Sequence, residues 1–182
     1  MNEPVIIVSC DSHAGVPKEL WPEYLPEQFH ELLPQLHKDC DEIYPNAVYC
    51  LGARAAGGVE ENAEQQQAQR NDWHGLYDPV LRLADMDREG IAAELVYLGD
   101  SRLGDMFHNV TGRDYGLDAW EAGAKGWNRY CADAFGFAPD RLLVTGAIGP
   151  CVDMDAQRAE LDWMPDHKFI GVYGPGYLKH AG

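Results

Sequence analysis

Apolar residues along this chain fall into four short runs, and the stretches between them carry helical spacing. Val5-Ile6-Ile7-Val8 is rich in β-branched residues and predicts a short buried strand. Ile91 to Leu98, Leu142 to Ile148 and Phe169 to Tyr173 are three further runs of the same kind. Asp78-Pro79 offers an N-cap followed by a proline at the first helical position, and Gly90 offers a stop, so a helix is predicted between them. Val80, Leu83, Ala84 and Asp87 mark one face of that helix. Leu117, Trp120, Ala124, Trp127, Cys131 and Ala134 recur at intervals of three and four, which predicts a helix from about Leu117 to Phe135. A turn at Ala138-Pro139-Asp140-Arg141 follows, and a shorter helix spans Ala156 to Trp163.

Strands that alternate with helices imply an α/β fold with four parallel strands joined by right-handed crossovers. The segment after the first strand is different. Pro17, Pro22, Pro26 and Pro34 interrupt Trp21, Tyr24, Leu25, Phe29, Leu32 and Leu33, which predicts a meander of short helical turns. Ile43, Tyr44, Val48 and Tyr49 around Pro45-Asn46 read as a small hairpin or an irregular excursion within Asp41 to Leu51. Residues 52–74 hold Gly57-Gly58 and Gln65-Gln66-Gln67 with few apolar side chains, and read as a loop insertion between the first two strands.

Composition narrows the class. The 182 residues are 46% hydrophobic, enough for a single domain over 1–182 with a real core. A net charge of −16, spread along the chain, disfavours nucleic acid and anionic membrane surfaces as partners. No apolar stretch approaches the roughly 20 residues of a membrane helix, and no basic segment precedes the first apolar run. Five cysteines without a C-x-x-C pair fit reduced thiols, so a cytoplasmic location is expected.

The candidate chemistry begins at Cys10-Asp11-Ser12-His13, at the exit of the first strand. On a strand, positions i and i+2 point the same way, so Asp11 and His13 can reach one ion together. A turn carboxylate beside a histidine satisfied by backbone groups is the plainer alternative. Other signatures fail. Gly99-Asp100-Ser101-Arg102-Leu103 lacks the closing glycine of a nucleophile elbow, and Pro34 stands where His30-Glu31 would need a second histidine. No glycine-rich phosphate loop follows any strand. Asp85, Asp87 and Glu89 read as a solvated helix face, whereas Asp100, just past a strand's carboxyl end, reads as a loop cap or as a catalytic pocket residue.

Arg82-Leu83-Ala84-Asp85-Met86-Asp87-Arg88-Glu89-Gly90-Ile91 resembles the R-L-x-D-M-D-x-x-G-I block of the amidohydrolase-2 family, within the amidohydrolase superfamily, similar to aminocarboxymuconate-semialdehyde decarboxylase. Asn128-Arg129-Tyr130 with Pro139-Asp140-Arg141-Leu142 is similar to the family's next helix and strand entry, and Leu20-Trp21-Pro22-Glu23-Tyr24-Leu25-Pro26 also fits in order. The resemblance implies the N-terminal half of a (β/α)8 TIM-type barrel and a metal-dependent hydrolase or decarboxylase acting on a small organic substrate. It implies a divalent metal, zinc by preference, with Asp11 and His13 as ligands.

Two departures qualify this. The family's usual D-x-H-x-H places its second histidine at Gly15, which cannot ligate, while an E-x-H register of the hydroxybenzoate decarboxylase kind would be filled by Asp11 and His13. Both registers stay open. The complete barrel needs about 250 residues, so the ligands and catalytic aspartate of its second half would lie past Gly182. The chain alone is therefore expected to be inactive, and to need a second copy of itself, as a homo-oligomer, or a missing C-terminal half. The alternative is a non-catalytic half-barrel interaction module or self-associating remnant.

Overall fold

A computed structural model describes residues 5–42, 74–99, 106–107 and 114–174. It is an α/β fold whose four strands form one all-parallel sheet in the order β1-β2-β3-β4. They are β1 (Ile7–Ala14), β2 (Ile91–Leu98), β3 (Leu142–Ala147) and β4 (Gly171–Tyr173). The expected strand order and direction are thus present, with β1 and β4 at the two edges.

The first strand departs from expectation in place and in burial. It runs through Asp11 and His13 instead of ending before them, and its apolar start is exposed: Val5 is 85% and Ile6 77% accessible, with Ile7 and Val8 near half. An edge strand has a neighbour on one side only, so a β-branched run does not by itself secure burial.

Short turns follow, as the prolines demand: a 3-10 turn at Lys18–Leu20, helix α1 (Trp21–Tyr24) and a 3-10 stretch at Glu27–Leu32. Helix α2, residues 33–42, was not expected. Pro34 stands in its first turn, where an amide donor has no intrahelical partner to lose, so this proline opens a helix instead of ending one. Residues 41–42 belong to α2, not to a hairpin. The rest of that hairpin and the 52–73 insertion lie outside the described residues, and His74 opens a 3-10 turn, His74–Leu76.

Helix α3 (Pro79–Glu89) has the predicted ends. The Asp78 carboxylate accepts from the Val80 and Leu81 amides at 2.9 and 3.0 Å, and Gly90 closes the helix with a left-handed φ of 72°. Its buried face is not the predicted one. Arg82 and Met86 are buried, whereas Val80, Ala84 and Asp87 are exposed. The cause is Glu94 on β2, whose carboxylate accepts from Arg82 Nη1 at 2.8 Å and draws that side of the helix against the sheet.

Helices α4 (Leu117–Phe135) and α5 (Met154–Trp163) complete the alternation. Ala124, Trp127 and Cys131 of α4 are buried as expected, but Leu117 is exposed. Trp127 Nε1 donates to the Thr145 carbonyl, and Asn128 exchanges hydrogen bonds with the Ala147 backbone, which joins α4 to β3. The core lies between the helices and one sheet face carrying Val96, Leu98, Leu142 and Val144.

Among the described residues, no helix is long and apolar enough to cross a membrane. The described cysteines, Cys10, Cys40, Cys131 and Cys151, are unbridged. Cys131 packs in the core, and burial pushes its thiol well above its ordinary value.

Candidate metal corner

The sheet has two unlike faces. Glu94, Val96 and Leu98 point toward the helices, and the register Val96↔Val144 carries that face onto β3. The opposite face presents His13, Leu95, Tyr97, Leu143 and Tyr173, all partly or fully exposed.

A bulge in β1 sets up the corner on that open face. From Ser9↔Glu94 to Ser12↔Val96, β1 advances three residues while β2 advances two. The extra residue turns Ser9 and Ser12 to the same side, with their hydroxyls 3.1 Å apart. After the bulge, His13 pairs with Tyr97, and the two rings lie 6.2 Å apart. Tyr97 also meets Tyr173 of β4, at 6.3 Å edge to face.

Asp11 Oδ1 lies 3.3 Å from His13 Nε2, with the two side chains 91% and 50% exposed. Two ligands of a tetrahedral ion with bonds of about 2.0–2.2 Å stand about 3.4 Å apart, so the pair has the separation an ion requires. The same spacing suits a hydrogen bond between the imidazole and the carboxylate. So exposed a contact contributes little to stability, below about 1 kcal/mol.

The glycine at position 99 permits the ring's placement. A Cβ there would stand 3.3 Å from His13 Nδ1, and its φ of 131° is one that L side chains rarely adopt. Its amide donates to the Ala14 carbonyl at 3.2 Å, so backbone passes directly behind the imidazole.

Arg82 reaches the corner from the opposite side of the sheet. Its guanidinium donates to the Glu94 carboxylate, to the Gly75 carbonyl at 2.6 Å and to the carbonyl of His13. Gly15 is buried, and its amide donates to the Leu76 carbonyl at 3.2 Å. An open cleft of about 240 Å³ runs along this contact, lined by His13, Gly75, Leu76, Arg82 and Glu94. A larger groove of about 470 Å³, lined by Tyr24, Phe29, Glu121, Lys125 and Arg129, includes neither Asp11 nor His13.

The structure thus brings Asp11 and His13 together, while Asp100 lies outside the described residues. Among the described residues, no three or more His, Cys, Asp or Glu side chains gather as an ion would need. His30 bonds the Leu25 carbonyl and His167 the Trp163 carbonyl, so neither is offered to the corner. Sequence reasoning missed Tyr97, Gly99 and the reach of Arg82. One signal was available: Glu94 is the single charged residue inside the apolar run Ile91 to Leu98, and a lone charge there asks for a buried partner.

No family model matches this chain, and no curated protein matches it.

Proposed function

We propose that Asp11 and His13 are one corner of a divalent-metal site, zinc by the amidohydrolase resemblance, in the first half of an amidohydrolase-type barrel. The reaction class is metal-dependent hydrolysis or decarboxylation of a small organic substrate. The observation that carries this reading is the 3.3 Å separation of a carboxylate and an imidazole on the open face, near the carboxyl end of β1. The sheet order β1-β2-β3-β4 and its uniform direction support it, because consecutive parallel neighbours are what a barrel's strands are.

In this reading the ion supplies Lewis acidity toward a carbonyl or carboxylate oxygen of the substrate. Asp11 and His13 would hold it, and Gly99 leaves room for the imidazole to do so. Tyr97 and Tyr173 present an aromatic surface beside the corner, against which an organic substrate would pack. The two ligands found among the described residues fall short of the three usual at a catalytic zinc, so negligible turnover is expected of this chain by itself.

Metal analysis tests the assignment. Zinc content after equilibration and gel filtration should fall sharply in Asp11→Ala and in His13→Ala; equal content in wild type and both variants would overturn the ligand assignment. Metal-dependent turnover by the unaccompanied chain would overturn the expectation of inactivity.

A second reading, a self-associating half-barrel without chemistry, is favoured by the exposed apolar residues at both sheet edges, Val5 and Ile6 before β1 and Ile170 and Val172 at β4. Solution mass together with metal content separates the two. Assembly without zinc favours this second reading, and zinc lost on either substitution favours the first.

A further inference from the structure

The buried guanidinium of Arg82 is doing more than neutralising Glu94. Three of its donor groups go to three different parts of the chain: Nη1 to the β2 carboxylate at 2.8 Å, Nε to the Gly75 carbonyl at 2.6 Å, and Nη2 to the carbonyl of His13. The planar fork makes this possible, since a guanidinium directs its N–H groups at fixed angles and a lysine ammonium does not.

The third bond falls where β1 most needs one. As an edge strand, β1 has only β2 as a sheet neighbour, and its ladder is interrupted between Ser9 and Ser12, immediately before His13. A bulge leaves a residue unpaired and bends the strand, so ladder bonds alone hold the following residue loosely. The bond from Arg82 and that from Gly15 to Leu76 restrain β1 on both sides of Ala14.

We infer that Arg82 is the positioning residue of the Asp11/His13 corner: through the His13 carbonyl it fixes where the imidazole stands. This rests on the metal reading only for its consequence in affinity. The placement of His13 is a property of the metal-free chain and can be measured without any ion.

The test uses the full chain in four forms: wild type, Arg82→Lys, the double variant Arg82→Met/Glu94→Leu, and Asp78→Ala. Removing both members of a buried pair avoids a stranded charge, and Arg82→Lys keeps a cation beside Glu94 should the double variant fail to fold. Asp78→Ala weakens the same helix through its cap and touches neither His13 nor Glu94, so it reports what destabilisation alone does. The imidazole 15N resonances of His13, assigned against His13→Ala, are recorded without metal, and zinc affinity is then measured by competition with a chelator.

The His13 resonances should shift in Arg82→Lys and in the double variant but not in Asp78→Ala, and zinc should bind about tenfold more weakly in the first two. Unchanged His13 resonances in folded Arg82→Lys, or an equal shift in Asp78→Ala, would overturn the inference. If wild type binds no zinc, the metal reading fails, and the resonances still decide the role of Arg82.

Discussion

The two faces of this sheet are built from the same four strands and meet opposite fates. Toward the helices, Val96 and Leu142 are almost wholly buried, Trp127 packs with no exposed surface, and the buried charges Arg82 and Glu94 are paired with each other. Toward the open side stand Asp11, His13, Tyr97 and Tyr173, a carboxylate, an imidazole and two phenols in partial contact with solvent. Residues that hold the fold face the helices, and residues able to meet a ligand sit where their loss costs the fold little.

The helix-covered face is most sensitive at Trp127. Trp127→Ala removes a buried indole and its bond to the Thr145 carbonyl, and should cost about 3–5 kcal/mol in denaturant unfolding. A cost below about 1 kcal/mol would mean that the helix-covered face is not the core. Next comes the cap of α3. Asp78→Ala should cost about 1 kcal/mol, read from the same unfolding curves, because it strands the Val80 and Leu81 amides.

A smaller effect is expected from pH. Burial holds the imidazole of His37 below its ordinary 6.5; Lys18 acts in the same direction, while Asp41 and Glu19 oppose it. A histidine whose folded-state value is lowered binds protons more readily when unfolded, so its stabilising share is complete above pH 6.5 and is lost as pH falls below it. His37 Nε2 has no hydrogen-bond partner, and its ring meets Trp21 edge-on at 4.9 Å. His37→Phe should therefore flatten the loss of stability between pH 7 and pH 5 measured by urea titration, and an unchanged slope would contradict the burial argument. The smallest change is predicted on the open face, where Asp11→Ala and His13→Ala should each shift unfolding by less than about 0.5 kcal/mol. A large loss from either would make the pair a structural feature and count against a ligand role.

Much of the fold was legible because its signals are local. The Asp78 cap, the Pro79 start and the Gly90 stop bound α3, and Ile91 to Leu98 is a strand over its whole predicted length. Helix α4 has its predicted ends for the same reason, since its three- and four-residue spacing runs unbroken between them. Legibility failed where a residue's meaning depends on a distant partner. Arg82 is a polar residue by composition and a buried one only because Glu94 waits on the next strand. Val5 to Val8 reads as buried by type but is exposed because nothing described lies beyond the β1 edge.

For the candidate corner, the i, i+2 spacing of Asp11 and His13 sufficed to place both side chains on one face, since alternation is a property of any extended strand. Which face, and what stands behind it, depended on pairing. The β1 bulge, the passage of Gly99 behind the imidazole and the bond from Arg82 to the His13 carbonyl each join segments that are far apart in sequence. Sequence alone determined the four strands, helices α3 to α5, their order and the spacing of two donors, because backbone propensity and periodicity act over a few residues. Only the tertiary structure decided which side of each helix is buried and which face of the sheet stays open, because burial is settled between segments and not within them.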